Sequence, residues 1–214
     1  MSYIYLHGWA SDPRSSKAVF FQEQFARHGI SLQIPDLNQD DFYHMTLTRQ
    51  IEQVAALFPA QQPVTLIGSS LGGLVSLWLA QKYSQVERLI LMAPALEFYP
   101  NCIDVWGKDN FERWQTEGEI SMMHYAWERE ELISYDFIKD AMQYQDKDLQ
   151  RQLPTLILHG ENDAVVPIQA SRNFITQQRN WVELKPYDSD HSLKDVLPEM
   201  WAATQDFCGL SDAG

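Results

Sequence analysis

Val64-Thr65-Leu66-Ile67-Gly68-Ser69-Ser70-Leu71-Gly72-Gly73 is the stretch that decides the fold. Four residues suited to a buried strand run into Gly68-Ser69-Ser70-Leu71-Gly72, which fits Gly-x-Ser-x-Gly centred on Ser70. In a nucleophile elbow the chain turns sharply from strand to helix and lifts one serine hydroxyl clear of its neighbours. A side chain at either glycine would collide across so tight a turn. Centring the pattern on Ser69 would require glycine at Ile67 and Leu71, so Ser70 is the candidate nucleophile.

Outward from this stretch, short apolar runs recur at Tyr3–Leu6, Ser31–Ile34, Arg88–Met92, Thr155–Leu158 and Val182–Lys185. Several are apolar at consecutive positions, as parallel strands covered on both faces require. Helix-like segments alternate with them. Ser16 is placed to cap a helix carrying Val19, Phe20, Phe21 and Phe25 and stopping at Gly29, and Thr46 to start one with Ile51, Val54 and Ala55 inward. Leu71, Leu74, Val75, Leu77, Trp78 and Leu79 are apolar nearly all round, which predicts a central buried helix. Pro167 fits the first turn of a later helix, and Asp195–Phe207 reads as the last. The pattern predicts an α/β fold with a mostly parallel sheet of about six strands and helices on both faces. About 60 residues separate Met92 from Thr155, far beyond the dozen a crossover needs. The expectation is one domain over residues 1–214 in which 96–152 form a small helical cap; the alternative is a longer crossover whose aromatics are ordinary core. Residues 211–214 read as a loose tail.

Composition narrows the function. The 214 residues, 45% apolar and 21% charged, fit one soluble globular domain. A net charge of −13 argues against a broad nucleic-acid face, which needs clustered Lys and Arg. Cys102 and Cys208 stand far apart and match no metal spacing. No apolar run approaches a membrane span, and the N-terminus enters a strand with no cleavable signal, so a cytoplasmic enzyme is expected. Neither a dinucleotide nor a phosphate-loop glycine pattern is present, and no metal or organic cofactor is expected.

A serine hydroxyl needs a base, and the base needs a carboxylate to hold its tautomer. On a fold of this kind the partners follow in the order serine, acid, histidine. Of the downstream histidines, His191 follows the last strand in Tyr187-Asp188-Ser189-Asp190-His191-Ser192 and is the expected base. His159 comes too early and is assigned to packing, while His124 is expected at the surface or facing substrate. Asp163 lies in the loop Gly160-Glu161-Asn162-Asp163 before Pro167 and is the expected acid. Glu161 comes too soon after the strand, and Asp188 and Asp190 are too near His191 to reach its far nitrogen. Backbone N–H groups of Leu71 and Trp9 are the expected oxyanion donors. His7 is expected to pack beneath the site and bond backbone. Trp9, Trp106, Phe111, Trp114 and Trp127 are the candidate pocket walls. Arg14 reads as a solvated loop residue or one tied to an acidic neighbour; a substrate anchor is the alternative.

Together these segments resemble the α/β-hydrolase superfamily, and within it the small YqiA-like esterases. The resemblance is densest at Tyr5-Leu6-His7-Gly8-Trp9-Ala10-Ser11-Asp12-Pro13-Arg14-Ser15-Ser16-Lys17-Ala18 and at Gly68–Gly73. It implies a carboxylesterase or thioesterase acting on a small-molecule ester or acyl thioester. The same triad also serves lyases, peptidases and acyltransferases, and a non-catalytic binding protein on the same scaffold is the remaining alternative.

Overall fold

The computed structural model describes residues 1–178 and 180–211; residues 212–214 of the expected tail lie outside them. In chain order the elements are β1 Ser2–Leu6, α1 Ser16–Arg27, β2 Leu32–Gln33, α2 Leu47–Ala55, β3 Val64–Ser69, α3 Leu71–Lys82 and β4 Val86–Met92. They continue with α4 Phe98–Trp106, α5 Lys108–Glu117, β5 Glu119–His124, β6 Arg129–Ser134, α6 Asp136–Ala141, β7 Thr155–Gly160, α7 Ile168–Gln177, β8 Val182–Tyr187 and α8 Leu197–Cys208. Six strands form one sheet in the order β2-β1-β3-β4-β7-β8, every neighbouring pair parallel.

The consecutive apolar residues of the strands divide between the two faces, because successive side chains point opposite ways. Tyr3, Tyr5, Ile67, Ile90, Met92, Leu156 and Leu158 pack with Phe21 and Phe25 of α1 and Trp201 of α8. Ile4, Leu6, Leu66, Leu89, Leu91 and Ile157 pack with Ile51 and Val54 of α2, Leu74 of α3 and Phe174 of α7. Helix α3 is buried from Leu71 to Ala80, as its unbroken apolar character predicts. Its last carbonyls are answered by Arg151, whose guanidinium donates to Ala80 and Tyr83 at 2.6 Å each.

The local signals hold with small shifts. Thr46 caps α2, its hydroxyl accepting the Arg49 N–H at 3.0 Å. Ser15 rather than Ser16 is the N-cap of α1, and Pro167 precedes rather than enters α7. The second strand is only two residues long, and β8 runs past Pro186 to Tyr187. A proline is tolerated there because β8 is an edge strand.

The 93–154 segment is the main departure. It is not wholly helical: between α5 and α6 stands the antiparallel hairpin β5–β6, with Ile120 opposite Ile133. Ile120 and His124 are buried while Ser121 and Met123 are exposed, a period-two pattern that marks a strand. Gly118 ends α5 with φ +82, in the left-handed region that glycine enters freely, and so opens the hairpin.

Candidate active site

Three strands deliver the site at their C-terminal ends, where open α/β sheets hold their ligands. Strand β3 ends at Ser69, and Ser70 follows at φ 52, ψ −116, a strained conformation for a residue with a side chain. The turn is tight on every side. A Cβ on Gly72 would lie 2.6 Å from the His7 carbonyl oxygen and closer still to that of Leu6. One on Gly73 would lie 2.9 Å from Pro94. These glycines let α3 start directly against the ends of β1 and β4.

Strand β7 ends at Gly160 and β8 at Tyr187, and the loops after them carry Asp163 and His191. His191 Nε2 is 3.1 Å from Ser70 Oγ, and His191 Nδ1 is 2.7 Å from Asp163 Oδ2. With Asp163 ionised, Nδ1–H donates to the carboxylate, leaving Nε2 to accept the serine proton. Asp163 Oδ1 accepts the N–H groups of Val165 and Val166 at 2.9 and 2.8 Å. Burial alone would raise the Asp163 pKa; the hydrogen bonds from His159 and His191, the charge of His191 and the Val166 N–H outweigh it. They hold the carboxyl well below the usual range.

His159 does more than pack. Fully buried, its Nε2 lies 2.9 Å from the Val166 carbonyl and 3.2 Å from Asp163 Oδ2, while its Nδ1 is 2.9 Å from Ser171 Oγ. Nε2–H therefore donates to the Val166 carbonyl, with Asp163 Oδ2 close beside the same nitrogen, and Ser171 donates to Nδ1. The spacing of four residues around the turn was the available signal for this contact.

Strand β1 supplies the second wall of the elbow. A Cβ on Gly8 would lie 3.3 Å from both Ser69 O and Ser70 Cβ, so the loop passes close over Ser70. His7 is buried; its Nε2 accepts the Leu37 N–H at 3.0 Å, which leaves Nδ1–H to donate to the Gly8 carbonyl at 3.0 Å. Gly8 C=O and Trp9 N–H belong to one trans peptide and point opposite ways. By fixing the carbonyl, His7 fixes the direction of the Trp9 N–H. Among the described residues, neither Trp9 N–H nor Leu71 N–H bonds an acceptor.

A cavity of about 1060 Å³ opens over Ser70 and His191. Of the five candidate pocket aromatics, Trp9 and Trp106 line it, their ring centroids 5.6 Å apart. Phe111 and Trp114 do not: both are buried in the core, and Trp114 Nε1 donates to the Ile133 carbonyl at 3.0 Å. Trp127 also lies elsewhere, beside a separate depression with Arg129 and Tyr43. Met122, Met123 and Tyr125 of the hairpin region wall the cavity instead, together with Val105 of α4. His124 is fully buried rather than surface or substrate-facing; its ring stacks on Trp127 at 3.9 Å, and burial lowers its pKa. Arg14 is exposed and forks onto Asp12 Oδ2 at 2.7 and 3.0 Å. Glu161 lies 3.7 Å from Arg172, Asp188 accepts from Asn162, and Asp190 accepts the Ser192 N–H.

The sheet, the strand-to-helix elbow at Ser70 and the loop-borne Asp163 and His191 define an α/β-hydrolase fold. The chain belongs to the family described as "Uncharacterised protein family (UPF0227)", whose pattern matches residues 2–208. It is similar to mouse alpha/beta hydrolase domain-containing protein 10, with 24% identity and TM-score 0.79 over 98% of this chain and 90% of that one. It is also similar to Est1E of Butyrivibrio proteoclasticus, solved with ferulic acid bound, with 21% identity and TM-score 0.74 over 96% and 86%. A Mycoplasma genitalium protein provisionally named esterase/lipase 2 is 23% identical over 93% of this chain and 85% of its own length. No helix among the described residues is long and apolar enough to cross a membrane.

Two expectations follow from the acid and its loop. A Cβ on Gly160 would run into the Ser189 and Asp190 carbonyls just before His191. Gly160→Ala should displace that loop and lower kcat about 10²-fold, the scale of a 1 Å misplacement, with the fold retained by circular dichroism. The Asp163 carboxyl has a folded pKa below its unfolded value of about 4. Its contribution to stability is therefore complete above pH 4 and is lost as pH falls toward the folded value. In urea titrations Asp163→Asn should be less stable than the parent at pH 7, and the gap should narrow at about pH 3.

Proposed function

We propose that this protein is a serine hydrolase that cleaves a carboxylic ester or thioester through an acyl-enzyme. The observation that carries the reading is the continuous line Ser70 Oγ, His191, Asp163, with links of 3.1 and 2.7 Å. His191 takes the Ser70 proton through Nε2 as Oγ attacks the carbonyl carbon. Leu71 and Trp9 N–H groups receive the oxyanion; each such donor is worth about 3 kcal/mol of barrier. His191 then gives its proton to the leaving oxygen or sulfur, the tetrahedral centre collapses to the acyl-serine, and water activated by the same nitrogen releases the acid. Asp163 holds the tautomer and stabilises the imidazolium. No step calls on a metal or organic cofactor.

The segment 96–152 acts as a cap within a single domain, contributing Trp106, Met122 and Met123 to the apolar wall beside the nucleophile. The esterase/lipase name of the Mycoplasma relative and the ferulic acid bound in Est1E support ester chemistry on this scaffold. A small-molecule substrate suits a cavity of this volume, and the net charge of −13 suits no nucleic acid. The working compartment in this reading is the cytoplasm.

The test is product analysis on a matched ester, thioester and amide sharing one butyryl group. Release of butyrate from the ester or thioester, abolished in Ser70→Ala, is the expected result. Turnover of the amide alone, or transfer of the acyl group to an added alcohol without hydrolysis, would replace this reading with a peptidase or acyltransferase.

A further inference from the structure

Cations are scarce in this chain, with 16 Lys and Arg against 29 Asp and Glu, yet Lys17 and Lys194 both line the cavity that holds Ser70. Among the described residues neither takes part in an ion pair. The Lys17 ammonium donates to the Ser192 carbonyl at 2.8 Å, which leaves two of its three N–H groups to find other partners. Arg14, the third cation on the wall, is already neutralised by Asp12. Burial and the neighbouring charge of Lys194 pull the Lys17 pKa down to about 8, only partly offset by Asp163 and Asp190. Two like charges thus face one space, Asp163 and Asp190 acting on Lys17 only from beyond ion-pair distance.

The helix that carries Lys17 points to the same absence. Its N-cap, Ser15, makes no side-chain cap, and its first turn holds no acid. A lysine at that end opposes the helix dipole, which favours an anion there. The N–H groups of Ser16, Lys17 and Ala18 have no acceptor among the described residues. Ser15, Ser16 and Lys17 all line the cavity. Uncapped N–H groups, an aligned dipole and two lysines outside any direct ion pair are the components of an anion site.

Its position relative to the reaction follows from His191. The leaving atom must lie within reach of His191 Nε2, the proton donor. Lys17 bonds the residue after His191, and Lys194 comes three residues after it, so both flank the leaving-group side. The apolar side chains Trp106, Met122 and Met123 lie on the cap wall. We propose that the substrate is an ester or thioester whose leaving alcohol or thiol bears an anionic group, phosphate or carboxylate, bound by Lys17, Lys194 and the first turn of α1. The apolar acyl part lies against the cap. This inference rests on the hydrolase reading above and specifies the substrate of that same site.

Matched esters differing only in charge test it. Butyrylglycerol phosphate is compared with butyrylglycerol, and 3-butyryloxypropanoate with its neutral amide, by kcat/KM at low salt. The charged member of at least one pair should be preferred about tenfold or more, and the preference should shrink in about 0.5 M salt. The arm with the larger ratio identifies the anion. Lys17→Met and Lys194→Gln should each reduce that ratio several-fold. Lys194 is exposed, so its variant folds even if that of Lys17 does not. A parent ratio of one or below in both pairs, or a ratio undiminished in Lys194→Gln, overturns the proposal. If the neutral esters are cleaved in a Ser70-dependent way without charge preference, only this inference fails; if none of the four is cleaved, the hydrolase reading fails with it.

Discussion

Ser70→Ala is expected to lower kcat on an activated ester about 10⁴-fold or more, with KM changed little. The loss is large because the alanine enzyme has no atom that can form the acyl intermediate, while the base and acid are left without a proton to move. Residual rate should come only from the Leu71 and Trp9 N–H groups and from substrate positioning. The adjacent serine is the control. Ser69 ends strand β3, is 5% exposed and lies outside the Ser70–His191–Asp163 line. Ser69→Ala should therefore stay within about tenfold of the parent, since a change confined to a neighbouring side chain removes no transition-state contact. Equal losses in the two variants would mean that the elbow had been damaged generally.

Gly72→Ala is expected to produce the largest loss of stability of any single methyl addition at the site. Its Cβ would run into the Leu6 and His7 carbonyl oxygens, both backbone atoms of β1 that cannot swing aside. Relief requires α3 to move away from the sheet, and α3 is buried along nearly its whole length. A cost of about 3 kcal/mol or more is expected, at the upper end of overpacking effects. For a chain of this size that is a fall in Tm of about 10 °C, readable by thermal denaturation. By contrast, Gly29→Ala meets no neighbouring atom within 4 Å. It should cost only the strain of a positive φ, about 1 kcal/mol.

The parts of the molecule legible in the sequence share a physical reason. Strands β1, β3, β4 and β7 are buried on both faces, so their apolar runs are continuous and unmistakable. Gly68 and Gly72 are fixed by backbone contacts that no other residue could satisfy, and the Ser70 frame follows from them. The loops after β7 and β8 come together because parallel neighbours put their C-terminal ends side by side. The sequence order of Asp163 and His191 was therefore enough to place them near each other.

The segment between β4 and β7 was harder to read, again for a reason. Its hairpin mixes Met123 and Leu132 with Ser121 and Glu130 on the exposed face, which blurs the alternation of a strand, and its aromatics serve a local core. Tyr135 and Phe137 both pack on Trp114 there, with Trp114 and Phe137 stacked 6.4 Å apart. Aromatics at helical or strand spacing fill interiors more often than they wall cavities, which is why Phe111, Trp114 and Trp127 are absent from the cavity lining. His124 followed the same logic, turned inward by the strand alternation that buries Ile120. The contact of His159 with Asp163 lies within one turn of chain, whereas the place of Lys17 depends on long-range packing. Lys17 meets Ser192 across 175 positions of sequence, a pairing that no local pattern encodes.

The central claim is that Ser70 is a nucleophile activated by His191. Covalent labelling with a fluorophosphonate, followed by intact mass and peptide mapping, tests it most directly. The account predicts a single adduct on Ser70, absent from Ser70→Ala and much slowed in His191→Ala. An unlabelled parent protein, or an adduct mapped to Ser69 or any other residue, would contradict it.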